Sequence, residues 1–195
     1  MKAYKQFIVS PIGERYNNSK KVGDKNLILN TEVFNHKFVN RTARVIATPL
    51  LFQSPINVGD EVIIHHNVFR RWHDVKGREK NSSSYLEENK YLISEDQIYL
   101  YKKYDWKAMP GYSLIKPLEA IDKFSILNEK PFVGIIKYTD GTFKKEELVG
   151  FRPGIECEDF INGERLYRVM NKFITIKYEY QGNEKEYNPS WAQGG

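Results

Sequence analysis

Short apolar segments that favour β-strands follow one another closely along this chain, and this spacing constrains the fold more than any other feature. In the first hundred residues the predicted strands are Phe7–Val9, Arg44–Ala47, Glu61–Ile64, Tyr91–Ile93 and Ile98–Tyr101. No stretch as long as about eleven residues has the period of an amphipathic helix. The aromatic content of 14%, with 13 Tyr and 11 Phe, also favours β structure. The sequence therefore predicts an all-β fold.

The second half of the chain repeats the order of strand signals found in the first half. The segments that align between the halves are Leu114–Leu118 with Ile8–Ile12, Val133–Ile136 with Ala43–Ile46, Tyr167–Met170 with Tyr91–Ser94, and Phe173–Ile176 with Ile98–Tyr101. Asn162-Gly163, flanked by strand-like segments, also predicts a tight hairpin. Self-similarity of this kind indicates an internal duplication. We predict a first unit over residues 1–104, a second over 105–180 joined through residues 104–108, and a polar C-terminal tail over 181–195.

The connection over residues 17–42 is far longer than the roughly two to five residues of a tight hairpin. Its first half is rich in Asn, Lys, Gly and Asp, which is the composition of a mobile loop. Within it, Leu27, Ile28 and Leu29 place three large aliphatic side chains in a row. Such a triplet either packs in the core as an ordinary strand or serves a partner, and the residues alone leave both open. The second half has a shorter loop, Glu119–Phe132, with an aliphatic pair.

Taken in order, these segments resemble the GroES-type co-chaperonins, the small β-barrel lids of chaperonin cages. The segments that carry the resemblance are FIVSPI, LILN, RVIATP, INVGDEVII and YLISEDQIYLY in the first half, and SLIKPLE, GIIKYTD, NGERLYRV and NKFITIKYE in the second. The resemblance covers most of residues 4–179 and rests on the ordered set, because none of these segments is specific by itself. It implies two tandem GroES-like irregular β-barrels, in a divergent form that would suit a viral protein acting on a host chaperonin.

In that family the first long loop is mobile, and its aliphatic tripeptide binds the chaperonin. By position, the resemblance assigns this role to Leu27, Ile28 and Leu29. Ile126 and Leu127 lie in the shorter second loop and are expected to be a reduced or secondary contact. The resemblance further implies a homo-oligomeric ring that caps a GroEL-like chaperonin to assist protein folding.

The chain departs from the family in three respects. It has two units where the usual subunit has one, and seven units cannot be built from whole pairs. It carries a long basic insertion over residues 70–85. The segment over residues 48–57 is too short for the roof hairpin of the family.

Residues suited to catalysis or metal binding are sparse. The histidines, His36, His65, His66 and His73, lack the spacing of a metal site. Adjacent residues of a regular strand point to opposite faces, so His65 and His66 are not expected to bind one ion. Cys157 lies between two acidic residues, which disfavour a thiolate nucleophile. Since no nucleotide-binding or hydrolase motif occurs either, we predict no metal, no cofactor and no enzymatic activity.

A basic segment over residues 70–80 supports an alternative function. Its cations, Arg70, Arg71, Lys76, Arg78 and Lys80, surround a tryptophan, Trp72. β-Barrel proteins bind nucleic acid with such a mixture, because the aromatic ring stacks on a base while the cations neutralise phosphates. The segment is equally compatible with a solvated hairpin whose charges keep the protein in solution.

Charge and composition suit a cytoplasmic chain. The net charge is +5 with a pI near 9.1, but 30 basic and 25 acidic residues are intermixed, so a polyanionic partner is permitted and not required. A single cysteine fits a reducing compartment. The N-terminal segment lacks an apolar signal region, and no apolar run has the length of a membrane span. We expect a cytoplasmic location, in the host cytoplasm if the protein is viral, and no membrane partner.

Overall fold

A computed structural model of the chain describes residues 2–16, 19–28, 38–120 and 128–187. The chain divides into two compact units between Asp105 and Trp106. Both units are built from antiparallel strands, and the described residues contain no α-helix, which confirms the prediction of an all-β fold. Over the same residues, no helix is long and apolar enough to cross a membrane.

The described strands are numbered in chain order. Those of the first unit are β1 (Phe7–Pro11), β2 (Ser19–Val22), β3 (Lys25–Ile28), β4 (Thr42–Ala47), β5 (Glu61–Ile64), β6 (Arg71–His73), β7 (Glu79–Asn81), β8 (Tyr85–Glu87), β9 (Lys90–Ile93) and β10 (Ile98–Lys102). Those of the second unit are β11 (Trp106–Ala108), β12 (Tyr112–Glu119), β13 (Glu129–Thr139), β14 (Leu148–Phe151), β15 (Cys157–Ile161), β16 (Glu164–Met170) and β17 (Ile174–Tyr178).

The main sheet of the first unit has the strand order β10–β5–β4–β1–β9–β8. Alternate residues of β4 are buried, so one face of this strand lies on the core. The core residues of the unit include Phe7, Val9, Val45, Val62, Ile64, Ile93, Ile98 and Leu100. β2 with β3, and β6 with β7, form two-stranded sheets of their own.

The second unit has the order β17–β14–β13–β12–β16–β15, which is the order of the first unit strand for strand. The pairing register shifts at corresponding places, between Ile8 and Val9 on β1 and between Leu114 and Ile115 on β12. A second pair of corresponding shifts lies where β10 pairs with β5 and β17 pairs with β14. Within the described residues, no pairing joins β8 to β10, or β15 to β17, to close a barrel.

The strand pairing corrects the predicted alignment of the halves by one residue at two places. Pro11 pairs with Ala43 and Pro117 pairs with Gly134, so Gly134, and not Val133, corresponds to Ala43. The close approach of β12 explains the glycine, because an added Cβ at Gly134 would lie 2.4 Å from the carbonyl oxygen of Lys116.

The second correction concerns the last strand. Ile98 pairs with Ile64 and Ile174 pairs with Phe151, so Ile174, and not Phe173, corresponds to Ile98. Phe173 belongs to a 3₁₀ turn that precedes the strand.

Two further elements bear on the predicted organisation. The predicted Asn162-Gly163 hairpin is confirmed, since both residues have positive φ, 53° and 78°, between β15 and β16. Residues 106–108, predicted as part of a link, instead form β11, with Trp106 buried.

The first described part of the predicted polar tail pairs with β12. The Tyr187 N–H donates to the Pro117 carbonyl and the Glu119 N–H to the Lys185 carbonyl, each at 2.8 Å. Residues 185–187 therefore extend the second sheet beside β12.

Candidate functional site

The long connection between β1 and β4 begins and ends in a buried stem. Tyr16 and Val39 form an antiparallel bridge, and their side chains are 5% and 3% exposed. The Asn40 side-chain amide donates to the Ile12 and Glu14 carbonyls, both at 2.8 Å, across the stem. The geometry holds both ends of the connection together at the edge of the first sheet.

Above this stem the chain forms the β2–β3 hairpin. Its backbone pairs Lys20 with Leu27 and Ser19 with Ile28, and Gly23 turns the chain with a φ of 61°. Leu27 and Ile28 therefore belong to a strand, but not to one of the main sheet. Leu29 lies outside the described residues.

The other two predicted partner-binding residues, Ile126 and Leu127, also lie outside the described residues. The strands on either side of their loop remain paired up to Glu119 and Glu129. The Ala120 N–H then donates to the Asn128 carbonyl at 3.0 Å. The second loop therefore starts directly from the end of its sheet.

The stem of the first connection is bonded to the basic insertion. The Arg15 guanidinium donates to the Phe69 carbonyl at 3.0 and 3.2 Å and to the Asn81 side-chain oxygen at 2.9 Å. The Tyr16 hydroxyl accepts from the Arg71 N–H at 2.9 Å, and the Arg71 guanidinium lies 5.0 Å from the centre of the Tyr16 ring. The long connection and the insertion thus form one assembly.

The insertion is anchored in the core at its base. Phe69 is fully buried and meets Tyr91 edge to face, with ring centroids 4.7 Å apart. Burial is also the main cause that raises the pKa of Tyr91. Beyond Phe69, β6 and β7 pair Trp72 with Lys80, which confirms the predicted hairpin.

A cleft of about 420 Å³ lies at the foot of this hairpin. Its lining residues are Asn67, Arg70, Trp72, Ser82 and Ser83. They combine a guanidinium, an indole, an amide and two hydroxyls, which together suit a ligand with a planar ring and a negative charge. Arg70 and Trp72 were predicted from sequence, whereas the other three residues were not.

An exposed apolar segment, which sequence reasoning missed, follows β4. Leu50, Leu51 and Phe52 are 56%, 62% and 38% exposed. The Leu50 and Leu51 N–H groups donate to the Tyr4 carbonyl at 3.1 and 3.0 Å, so the segment is held beside Tyr4, itself 71% exposed. The signal that could have identified it is the apolar triplet after Pro49.

The histidine pair differs from its prediction. β5 ends at Ile64, so His65 and His66 follow the strand, and their rings stack with centroids 4.2 Å apart. The argument from strand alternation was therefore wrong for these two residues. The His65 Nδ1 accepts from the Asn67 N–H at 3.0 Å. Over the described part of the chain, no group of three or more His, Cys, Asp or Glu residues could hold a metal ion.

In the second unit, charged side chains hold residues 185–187 on the sheet. Lys116 on β12 has a side chain 10% exposed and forms ion pairs with Glu164, at 3.6 Å, and with Glu186. Burial tends to raise the pKa of Glu164, but hydrogen bonds and charge from Lys137 and Lys116 lower it overall. This cluster is satisfied by residues of the unit itself.

A neighbouring cluster is centred on Arg165. Its guanidinium donates to Glu129 and to Glu158, each at 2.6 Å. Burial, followed by the hydrogen bond to Glu129, raises the pKa of Tyr167 well above its usual value. Both clusters join strands of one sheet, so they stabilise the unit.

Comparison with known proteins adds no family to these observations. No protein-family model matches the chain, and no curated protein matches it.

Proposed function

We propose that this protein is a co-chaperonin-like cap, which binds a chaperonin through Leu27, Ile28 and Leu29 and assists protein folding within its cage. The proposal begins from the ordered sequence resemblance to the GroES-type co-chaperonins. The observation that carries it is the β2–β3 hairpin, which belongs to a two-stranded sheet apart from the main sheet and follows a buried stem. A partner-binding loop needs such an arrangement, with firm ends and an apolar segment outside the core.

The finer features of this proposal concern the fold and assembly. We propose that each unit is a GroES-like irregular β-barrel, which is supported by the shared strand order and the corresponding register shifts. We also propose a homo-oligomeric ring. The exposed apolar residues Tyr4, Leu50, Leu51 and Phe52 support it, because they offer apolar surface for a contact between copies.

The energetics favour weak contacts that act together. Burial of Leu27, Ile28 and Leu29 in an apolar groove would contribute roughly 1.5–3 kcal/mol each. Ordering the loop opposes this by about 1–2 kcal/mol for each residue fixed. One loop would therefore bind weakly, and several loops on one ring would bind well because each bound loop raises the effective concentration of the next. Weak single contacts also allow release when the chaperonin changes state.

The test is a chaperonin capture and refolding assay with Ile28→Asp. We expect loss of capture and of refolding activity, with a thermal midpoint close to that of the unchanged protein, because a charge cannot enter an apolar groove without a large desolvation cost. Ile28→Leu is the matched control and should retain capture. If Ile28→Asp instead lowers the thermal midpoint strongly, Ile28 is a core residue and the proposal is wrong.

A further inference from the structure

Three arginines lie around the foot of the β6–β7 hairpin, and they differ in how the protein uses them. Arg15 donates to the Phe69 carbonyl and the Asn81 side chain. Arg71 forms an ion pair with Glu79 at 3.2 Å and lies over the Tyr16 ring. Both guanidinium groups are therefore occupied within the first unit.

Arg70 is different. Its Nε is buried and has no hydrogen-bond partner among the described residues, and none of their carboxylates pairs with its guanidinium. Buried charged donors in folded proteins are normally satisfied, so a donor without a partner calls for an explanation. Arg70 lines the cleft of about 420 Å³, and an anion bound there would supply the missing acceptor.

The rest of the cleft narrows the chemistry of that anion. Trp72, 39% exposed, offers an indole face on which a planar heteroaromatic ring can stack. Ser82, Ser83 and the Asn67 amide offer hydroxyl and amide groups for a sugar or a base edge. A bare phosphate or a carboxylate would use Arg70 and leave the indole without a contact.

The surrounding charge favours a negative ligand. Residues 70–81 contain five Lys or Arg residues against Asp74 and Glu79, for a net charge of +3. The volume of the cleft, about 420 Å³, lies within the usual range for small-ligand sites.

From these observations we propose that the cleft between Arg70 and Trp72 binds one nucleotide, with its phosphate on Arg70 and its base stacked on Trp72. The nucleotide is either free or one unit of a single-stranded nucleic acid, since both present the same base and phosphate. This site is independent of the proposed chaperonin contact, because it uses none of the loop residues.

The test is a binding titration of the full-length protein with two probes, adenosine monophosphate and a ten-nucleotide single-stranded oligoadenylate. We expect Arg70→Gln and Trp72→Ala each to weaken binding about tenfold or more. Arg78→Gln is the matched control, because it removes the same charge from an exposed position of the same hairpin that does not line the cleft. This control should change binding less than about threefold.

The two probes distinguish the sources of the nucleotide. Binding of both supports a mononucleotide site, whereas binding of the oligonucleotide alone supports a nucleic-acid strand as the ligand. A strand should also give a log–log salt slope of about −0.7 for each phosphate neutralised.

Three results would overturn the proposal. They are absence of binding of both probes up to about 5 mM, an equal loss in Arg70→Gln and Arg78→Gln, and binding that Trp72→Ala leaves unchanged. Thermal midpoints of all variants verify folding. If Arg70→Gln fails to fold, Arg70→Lys tests the site instead, since it keeps the charge and loses the forked geometry.

Discussion

The two units share one strand order and differ in the connections between the strands. In the first unit the β1–β4 connection runs over residues 12–41, and the β5–β8 connection, with its basic hairpin, over residues 65–84. In the second unit the corresponding connections are residues 120–128 and 152–156. The two long connections of the first unit bond to each other through Arg15 and Tyr16. One sheet can therefore support either a compact unit or a unit with a large side assembly.

The difference also lies in how the edge of the first strand is covered. In the second unit, residues 185–187 pair with β12 at Pro117 and Glu119. In the first unit Gly13, with a φ of 81°, turns the chain away after β1, and the stem follows. Each unit thus protects the same position with a different segment, and only in the first does that segment lead to the predicted partner-binding residues.

The largest expected effect separates the two loops. Deletion of Leu27–Leu29 should weaken chaperonin binding at least about 100-fold, because three apolar contacts are lost from every copy in the ring. Deletion of Ile126–Leu127 should change it less than about threefold. The measurement is a chaperonin pull-down with quantified affinity, accompanied by thermal midpoints. Equal losses with the fold intact would mean that both loops are anchors and that the asymmetry is wrong.

The second prediction concerns the junction between the two additions of the first unit. Arg15→Gln should lower the free energy of unfolding by about 2–3 kcal/mol, because charge-assisted hydrogen bonds to Phe69 and Asn81 are lost. Urea denaturation measures the loss, and hydrogen exchange should assign it to the first unit.

Arg44→Gln is the control for this junction. It breaks an exposed ion pair with Glu61, at 3.5 Å, and should cost less than about 1 kcal/mol. A loss in Arg15→Gln as small as in this control would show that the two additions are not coupled.

The third prediction tests the covering of the second sheet. A chain that ends at Asn183 loses the pairing of residues 185–187 and the Glu186 partner of Lys116. Its free energy of unfolding should fall by about 1–2 kcal/mol, less than for a fully isolated charge because Glu164 remains near Lys116. A chain that ends at Tyr187 keeps both contacts and should match the full-length protein. If both truncations behave alike, residues 185–187 contribute no stability.

The smallest effect is expected at the turn after β13, where the first unit instead has its exposed apolar segment. Asp140 accepts from the Gly111 N–H at 2.7 Å and the Thr142 N–H at 2.8 Å. Burial tends to raise its pKa, but these hydrogen bonds lower it below its usual value of 3.8. Asp140→Asn should cost about 1 kcal/mol at neutral pH.

The pH dependence of this effect has a defined sign. A carboxyl with a lowered pKa in the folded state stabilises it above the unfolded pKa, near 3.8, and loses this contribution as the pH falls through the lower folded value. The stability difference between Asp140→Asn and the unchanged protein should therefore be constant near pH 6–7 and shrink below about pH 4. A difference that grows on acidification would contradict the assignment.

Local patterns in the sequence were sufficient for the fold class and for most strands. Alternating apolar residues in β4 and the Asn162-Gly163 turn specify their structures through neighbouring residues alone, so both were predicted correctly. The repeat order was also readable, because each strand of the second unit keeps a counterpart in the first.

Register and long-range contacts were decided only by the tertiary structure. Val133, Gly134 and Ile135 offered no local reason to prefer one alignment over the next, and the register follows from bulges and from the space beside Lys116. Arg15 and Phe69 are 54 positions apart, so nothing near either residue indicates their contact. The cleft beside Arg70 likewise exists only after distant segments have packed, because a side chain without a partner cannot be recognised until all of its neighbours are known.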